Sequence, residues 1–368
     1  MARHITILYV LGITMLCSAV PLSLHAELCV VRRDGARASV VLKFDDSSGT
    51  YLNQFVGNTE AFAGMAAGPD GNLYAAGNAL GAGTIFRFNR AGKVLGSFNQ
   101  KAGSPLDITF GPDGKLYAIG YNTNWTVARY NAETGAFLDY FATQTNRQGV
   151  MRSLAFGPGN NSDLFVIDDN FGVLRFDGRT GTLIGTFVPP GSGGLTNGWG
   201  LKFGPDANLY VSSQGSHAIL RYHGTTGAFI DSFVPSGSGG LTSPRGLTFG
   251  PDGKLYVCSC GSNKVLRFDG QNGAFLDAFA SGPAAELYEP SLLLFMPPPP
   301  RLQLRTEPGS IHLSWPSSTG PWSLYSSSSL EPTRAWITVT NTPVSDGTNN
   351  VVTIPATGPA AFFRLQQP

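Results

Sequence analysis

The sequence carries little charge. Lys, Arg, Asp and Glu together make up 13% of its 368 residues, and the formal net charge is +1. A protein that binds nucleic acid needs a basic face that neutralises phosphates. This composition therefore argues against nucleic acid as a partner.

Helical periodicity is also absent. No segment after the N-terminal apolar run repeats its apolar residues at the 3.6-residue spacing of an amphipathic helix, which excludes a helical solenoid. Glycine (47 residues) and proline (25 residues) are instead abundant, and they fall at regular turn positions. This distribution is typical of many short strands and not of disorder, so the predicted fold class is all-β.

The N-terminus has the pattern of a secretory signal peptide. Arg3 precedes the apolar run Ile5–Val20, and the small residue Ala26 ends the weakly polar stretch that follows. The run is short for a transmembrane helix, which needs about 20 apolar residues. We expect residues 1–26 to be removed, with Ala19 as a second possible cleavage point. The mature protein would then have no membrane span and be secreted, periplasmic or held at the cell surface.

Cysteine is scarce. Removal of the signal would take Cys17 and leave Cys29, Cys258 and Cys260, an odd number. Cys258 and Cys260 lie in a strand pattern, which argues against a redox or zinc motif. Two alternatives stay open: a disulfide from Cys29 to one of the other two, or three small buried thiols.

A three-residue signature returns six times: a basic residue, an aromatic residue, and then Asp, Asn or His. The steps between the basic residues are 44, 42, 46, 46 and 46, and a period of roughly 40–50 residues indicates a repeat architecture. Whatever recurs in every unit belongs to the scaffold, so a functional site has to lie where the units differ. The signatures begin at Lys43, Arg87, Arg129, Arg175, Arg221 and Arg267.

A tight turn that begins with Gly-Pro lies between successive signatures, as at Gly250–Gly253. Proline fixes φ at the second turn position, and glycine suits the fourth. Short apolar strands enter and leave this turn, and a second turn with an alternating strand follows each signature. Each unit is therefore predicted to form four short antiparallel strands, the composition of a propeller blade.

The two ends of the repeat region complete each other. Five units have the Gly-Pro turn but six have the basic-aromatic strand, so residues 27–55 lack an innermost strand. Downstream, Glu289–Phe295 aligns with the innermost strand of the preceding unit. We predict a six-bladed β-propeller over residues 27–296 that is closed by pairing of its N- and C-terminal strands, with Leu292–Phe295 in the sheet of Lys43–Asp45. Closure removes free sheet edges that would invite aggregation.

These units resemble the NHL repeat family, whose pattern is Pro-x-Gly-Leu/Ile followed by Gly-Pro-Asp-Gly-x-Leu-Tyr-Val. Pro244–Leu247 and Gly250–Val257 match it clearly, and all six units match it to some degree. The resemblance implies a propeller related in fold to gluconolactonase-like and virginiamycin B lyase-like proteins. It implies no single activity, because this fold carries unrelated functions.

A second domain follows the repeats. Residues 297–300 are four prolines, which predict a stiff extended linker. Residues 301–368 alternate in short runs such as Ile311–Trp315 and Val351–Ile354, separated by turn-rich spacers. This segment is similar to the fibronectin type III modules that end many secreted bacterial proteins, which implies a small β-sandwich.

One face of the disc is predicted to carry uniform turns, and the other carries loops that vary in length and content. Function concentrates in variable loops on a rigid scaffold, so the variable face is the predicted binding face. The residues that precede each innermost strand there are Ala63, Leu106, Arg152, Trp199, Arg245 and Ser291.

Arg152, Trp199 and Arg245 break this otherwise small or aliphatic set and are the predicted ligand-binding residues. Arginine forks onto planar anions and tryptophan stacks well, so the trio suits a carboxylate or a sugar face. In the alternative interpretation the arginines pair with local acids, Glu289 and Asp168 being the nearest by alignment, and Trp199 fills the channel.

A second ring of equivalent positions has one acidic member: Gly77, Gly120, Asp168, Ser213 and Ser259. Gluconolactonase-like relatives hold calcium near the axis with several acids and amides, because this cation takes many oxygen ligands. The resemblance implies Asp168, Asn78 and Asn122 as candidate calcium ligands. In the structural interpretation Asp168 caps its own turn, and the protein has no cofactor.

Few residues are available for catalysis. His217 and His223 are the only histidines of the propeller region, and neither matches the histidine that virginiamycin-lyase-like propellers use. No motif of a serine hydrolase, zinc protease or phosphate loop is present.

Two functions stay open. One is a non-enzymatic scaffold that binds a protein, a carbohydrate or a small anionic ligand, and the other is a calcium-dependent hydrolase or lactonase. An enzyme of the second kind requires at least three oxygen ligands at the axis. The sparse acids favour the binding protein.

Overall fold

The strands lie in eight antiparallel sheets of four strands each within the described part of the chain. This computed structural model describes residues 8–10, 26–33, 39–56, 61–79, 82–99, 101, 103–121, 124–144, 149–158, 162–280, 287–317, 322–328, 335–356 and 361–366. No helix among them is both long and apolar enough to span a membrane. The chain divides into two units, Ala26–Gly68 with Asn72–Met296, and Met1–His25 with Pro69–Gly71 and Pro297–Pro368.

In chain order, the strands up to residue 144 are β1 (Leu8–Val10), β2 (Glu27–Arg33), β3 (Ser39–Asp45), β4 (Tyr51–Val56), β5 (Phe62–Ala67), β6 (Leu73–Ala79), β7 (Ala82–Phe88), β8 (Val94–Asn99), β9 (Ser104–Phe110), β10 (Leu116–Tyr121), β11 (Trp125–Tyr130) and β12 (Phe137–Gln144). Those up to residue 280 are β13 (Met151–Phe156), β14 (Leu164–Asp168), β15 (Gly172–Phe176), β16 (Leu183–Val188), β17 (Gly198–Phe203), β18 (Leu209–Ser213), β19 (Ala218–Tyr222), β20 (Phe229–Val234), β21 (Pro244–Phe249), β22 (Leu255–Ser259), β23 (Lys264–Phe268) and β24 (Phe275–Ala280).

The remaining strands are β25 (Leu292–Met296), β26 (Gln303–Glu307), β27 (Ser310–Pro316), β28 (Ser323–Ser327), β29 (Ile337–Thr338), β30 (Val344–Ser345), β31 (Asn349–Pro355) and β32 (Ala361–Gln366). Three short 3-10 turns are η1 (Ser192–Gly194), η2 (Ser238–Gly240) and η3 (Cys260–Ser262).

The first unit contains six of the sheets. Five of them are built from four consecutive strands, β5–β8, β9–β12, β13–β16, β17–β20 and β21–β24. The sixth has the order β25-β2-β3-β4, so Leu292 pairs with Val31 and Phe295 with Leu28. The strand Leu292–Met296 thus lies in the sheet of Lys43, as the alignment of the repeats predicts.

The innermost strands of these six sheets are neighbours in a cycle. β25 contacts β5, and the contacts continue through β9, β13, β17 and β21 back to β25. Buried apolar side chains fill the space between successive sheets, as where Phe165 of one sheet packs with Leu201 and Val211 of the next. This arrangement is that of a propeller-like fold.

Recurrent side-chain contacts explain the repeated signature. In the sheet of β21–β24, Arg267 donates from Nε to Asp277 at 3.1 Å, and its Cζ lies 4.7 Å from the ring centre of Phe279. Tyr256 packs edge-on against Phe279 and donates its hydroxyl to Asp252 of the Gly-Pro turn at 3.1 Å. The same contacts recur around Arg129 and Arg221. The signature residues therefore stabilise the sheets, and a functional site is expected at the positions that differ between the units.

The sheet that joins both ends of the unit departs from this pattern. Lys43 and Cys29 stand where the other sheets have arginine and an aromatic residue, and Lys43 Nζ donates to Glu27 Oε2 and to the Arg90 carbonyl, both at 2.7 Å. The ammonium also lies 4.1 Å from the ring centre of Phe55. Lys43 and Glu27 are both buried, so this ion pair and the bond to Arg90 tie β2 and β3 to the turn between β7 and β8 of the next sheet.

The three cysteines of the described chain, Cys29, Cys258 and Cys260, are free and buried. Of the two alternatives that the sequence leaves open, the structure has the buried thiols. Burial raises the pKa of the Cys29 thiol to about 12 and that of Cys258 well above its ordinary value. These thiols are therefore protonated near neutral pH.

The second unit contains two sheets, β26-β27-β31-β30 and β1-β32-β28-β29. Leu313 of β27, Val352 of β31, Leu324 of β28 and Phe363 of β32 belong to one buried cluster. The two sheets thus pack as a small sandwich around a shared core. Within it, β1 pairs with β32, and removal of residues 1–26 as a signal stays a prediction.

We expect Lys43→Met to destabilise the protein by about 3–5 kcal/mol, because it leaves the buried Glu27 carboxylate without its closest cation. Urea unfolding measures this loss. Lys254→Met is the matched control, since Lys254 forms a partly exposed pair with Asp252 at 3.3 Å and should cost about 1 kcal/mol or less. Equal losses in the two variants would contradict a special role for the buried pair.

A chain ending at Met296 should unfold cooperatively on its own, because it keeps all four strands of the sheet that contains β25. A chain ending at Ser291 lacks β25 and leaves β2 with an open edge and exposed apolar side chains. We expect this shorter chain to unfold at lower urea concentration or to aggregate. Equal stability of the two chains, followed by circular dichroism, would show that β25 is dispensable.

Candidate functional site

Three residues from neighbouring sheets come together. Arg152 lies on β13, Trp199 on β17 and Arg245 on β21, which are innermost strands of consecutive sheets. The Cζ atoms of both guanidinium groups lie 4.7 Å from the centre of the Trp199 ring, within the range of a cation–π contact. The structure thus places the three residues predicted from the repeat alignment in one group, which we call the Arg–Trp–Arg stack.

Each arginine of the stack also faces an acid. Arg152 Nη2 lies 3.5 Å from Asp169 Oδ2, and Arg245 Nη1 lies 3.7 Å from Glu289 Oε2, which also faces Arg33 at 3.5 Å. Glu289 is therefore one of the partners that the alignment proposes. For Arg152 the alignment was wrong by one residue, because Asp169 and not Asp168 is the partner.

These acids do not satisfy the arginines fully. Arg152 Nε, Arg245 Nε and Arg245 Nη1 are buried and have no hydrogen-bond partner among the described residues. Buried polar groups are ordinarily hydrogen-bonded, so each exception marks a place where a water or a ligand belongs. The N–H groups of the stack are thus incompletely satisfied by the described residues.

The indole ring of Trp199 is already used within the protein. It contacts a guanidinium from the sheet on each side, and a sugar that stacked on this ring would have to displace one of them. The arrangement therefore favours a carboxylate, which binds guanidinium donors directly, over a sugar face.

Of the three predicted calcium ligands, Asp168 is the one whose side chain lies within the described part of the chain. Asp168 Oδ1 accepts the backbone N–H groups of Asn170 and Phe171 at 2.9 and 3.0 Å, so it caps its own turn. Asn78 is described through its backbone, which pairs with Gly83, and Asn122 lies outside the described residues. No group of three His, Cys, Asp or Glu side chains suited to a metal ion occurs in the described ranges.

The predicted variable face is uniform in part. Its loops that contain η1 and η2 both place glycine at φ near +60°, at Gly193 and Gly239. A Cβ at either glycine would come within 2.1 Å of Phe229 or 2.0 Å of Phe275, respectively. These two loops therefore pack against the next sheet in the same way, and the prediction of varied loops is wrong for this pair.

A pocket between the innermost strands opens beside the stack. Arg152 and Trp199 line it together with Asp107 of β9, Ser153 of β13 and Lys202 of β17, and its apolar wall includes Met65, Leu247, Leu292 and Leu293. Repeat alignment singled out only the first two, because it compared one position in each unit. Asp107 does carry a signal in the sequence, since the equivalent positions are Gly64, Ser153, Gly200, Gly246 and Leu292.

Strand irregularities explain why consecutive residues share this pocket. The register between β13 and β14 shifts between Met151 and Ser153, and an extra residue in one strand re-aims the side chains that follow it. Arg152 and Ser153 therefore both reach the pocket, although neighbours in a regular strand point to opposite faces.

Asp107 is held in place by three donors. Its Oδ2 accepts from Ser153 Oγ at 2.6 Å and from the Leu154 N–H at 3.2 Å, and its Oδ1 accepts from the Ile108 N–H at 2.9 Å. Burial nevertheless raises the pKa of Asp107 to about 6, against the opposing effects of the Lys202 charge and of these hydrogen bonds. Asp107 is thus a fixed acceptor whose charge changes just below neutral pH.

The sequence matches no family model, and no curated protein matches it. Solved structures do resemble the chain. A protein of unknown function from Bacteroides caccae superposes with a TM-score of 0.58 at 13% identity, covering 74% of this chain and 99% of that chain.

Virginiamycin B lyase from Staphylococcus aureus gives a TM-score of 0.48 at 15% identity and covers 84% of this chain and 96% of its own. A streptogramin B lyase gives 0.48 at 14% identity, covering 84% and 95%. At such identities the likeness concerns the fold alone, and the scores of the two lyases are too low to carry an argument. The NHL repeat and the fibronectin type III module are not confirmed.

The raised pKa of Asp107 predicts an unusual pH dependence. Its pKa is about 6 in the folded protein and about 4 when unfolded, so the folded state binds this proton more tightly. Its contribution to stability is therefore fully present below about pH 4 and is lost as the pH rises to about 6. We expect the stability of wild type relative to Asp107→Asn to fall between pH 4.5 and pH 7 in urea unfolding.

Asp113→Asn is the matched control for this experiment. Hydrogen bonds from Lys115 and Tyr117 outweigh partial burial and lower the pKa of Asp113. The stability of wild type relative to this variant should therefore rise with pH. A difference for Asp107→Asn that is constant or rises with pH would contradict the assignment.

Proposed function

We propose that this chain is a secreted, NHL-like propeller of six blades, closed through its terminal strands and followed by a fibronectin III-like module. In this proposal it acts as a binding protein for a small carboxylate, which it takes up in the pocket beside the Arg–Trp–Arg stack. The cycle of innermost strands through β25 supports the closed ring, and the N-terminal sequence pattern supports secretion.

The observation that carries the binding proposal is that the side chain of Lys202 has no bonding partner within the described part of the chain. Lys202 lines the pocket, and its backbone pairs with Tyr210 in the sheet, but its ammonium group forms no hydrogen bond or ion pair with a side chain of the described residues. The positive charge of Lys202 lowers the pKa of Asp107. A half-buried cation without a close partner is costly unless an anion joins it.

The neighbouring donors make a carboxylate the best fit. Arg152 lines the same pocket, and its Nε has no partner among the described residues. A guanidinium and an ammonium in one pocket supply several directed donors for two carboxylate oxygens, and charge-assisted hydrogen bonds of this kind are the strong ones. The ligand's anion also relieves the repulsion between the two cations.

The test is isothermal titration of the intact protein with butyrate. We expect saturable binding by wild type and a loss of about tenfold or more in affinity for Lys202→Met and for Arg152→Ala, the effect of removing one charge-assisted hydrogen bond. Lys254→Met, whose lysine pairs with Asp252, is the control and should bind as wild type does. Thermal unfolding of each variant is followed in parallel.

Two outcomes would reject the proposal. The first is the absence of saturable binding by wild type. The second is lost stability without lost binding in the Arg152 and Lys202 variants, which would mean that these side chains hold the strands together and serve no ligand.

A further inference from the structure

The pocket contains a hydrogen-bond acceptor as well as cations. Asp107 stands on β9, at the same cavity as Arg152 and Lys202, and it is buried. Its three hydrogen-bond donors are two backbone N–H groups and the Ser153 hydroxyl. A carboxylate has about four lone-pair sites. One site on Oδ1 therefore has no donor among these three.

The acceptor and the cations belong to one pocket, which Asp107, Arg152 and Lys202 line together. Ser153, the residue directly after Arg152, donates from Oγ to Asp107 Oδ2 at 2.6 Å. The strand irregularity at β13 turns both residues toward the pocket. A small ligand in this pocket can therefore contact Arg152 through one group and Asp107 through another.

The donor on that carbon is best a hydroxyl. An ammonium group would sit beside Lys202 and Arg152 and be repelled by both, whereas a hydroxyl donates to Asp107 without adding positive charge. The rest of the ligand meets the wall formed by Met65, Leu247 and Leu293, which suits a short alkyl chain.

We propose that the pocket selects short 2-hydroxycarboxylates, with the carboxylate on Arg152 and Lys202, the hydroxyl on Asp107 and the alkyl chain on the apolar wall. This inference rests on the proposed carboxylate site and names the class of ligand that the site prefers. Asp107 is the specificity-determining residue. The arginine and lysine side chains can only donate hydrogen bonds, whereas the buried Asp107 carboxylate accepts one from the ligand hydroxyl.

The test compares four acids of one chain length on the intact wild-type protein: butyrate, 2-hydroxybutyrate, 2-methoxybutyrate and 2-aminobutyrate. We expect 2-hydroxybutyrate to bind about tenfold or more tightly than butyrate, since a site built to bind a hydroxyl discriminates against the analogue that lacks it. The methoxy acid keeps the oxygen but has no proton to donate, and the amino acid adds a cation. Neither should bind better than butyrate.

Asp107→Asn provides the second arm. Loss of the carboxylate should reduce the preference for 2-hydroxybutyrate over butyrate to less than about twofold, and affinity for butyrate itself should be unchanged or higher, because a negative charge beside Lys202 is gone. Asp113→Asn is the control that removes a carboxylate outside the pocket, and it should keep the preference. The four-acid comparison needs no variant, so it decides the matter even if Asp107→Asn fails to fold.

The outcomes separate the two proposals. If no acid binds, the carboxylate site itself is rejected. If butyrate binds as tightly as 2-hydroxybutyrate, or if the methoxy or amino acid matches the hydroxy acid, the carboxylate site stands and the selection by Asp107 is overturned.

Discussion

The site depends on how closely the innermost strands approach each other. A Cβ added at Gly64 would lie 2.6 Å from the Cα of Asp107, and one at Gly200 would lie 2.8 Å from the Arg245 carbonyl oxygen, far inside van der Waals contact. Most units must therefore keep this position small. Asp107 is an exception that brings a charge there, and its buried carboxylate lies in the same pocket as the cations Arg152 and Lys202 of neighbouring strands. Electrostatic interactions are stronger in such buried surroundings than in water.

Outside that inner layer, the same side-chain contacts recur in several units. These contacts both satisfy polar groups and pack aromatic rings. Arginine, tyrosine and aspartate side chains clamp three of the regular sheets, around Arg129, Arg221 and Arg267. The sheet that joins the two ends replaces this clamp with the buried Lys43–Glu27 pair. Its strands come from distant parts of the chain, and a buried ion pair tolerates only one register because a slip would leave both charges without partners.

The sequence predicts much of this arrangement, because period and composition report on strands. The step of about 46 residues defines the units, and the counts of turns and signatures identify Leu292–Phe295 as a strand that belongs with Lys43. Alignment also finds Arg152, Trp199 and Arg245. It misses Asp107 and Lys202, and it misplaces the partner of Arg152 at Asp168, because strand irregularities bring residues from more than one aligned position to the same pocket. Such shifts depend on backbone geometry that a linear pattern does not contain.

The buried thiols offer a means of observing the molecule. Cys29 lies in the sheet that contains both ends of the first unit, and Cys258 lies in the sheet before it. A protonated, enclosed thiol reacts with an alkylating reagent only after the surrounding strands separate. The alkylation rates of the two thiols therefore report how often the strands open near the sheet that joins the two ends of the unit. Their modification rates, resolved by mass spectrometry, would distinguish a strand that frays on its own from a domain that opens as a whole, without any mutation.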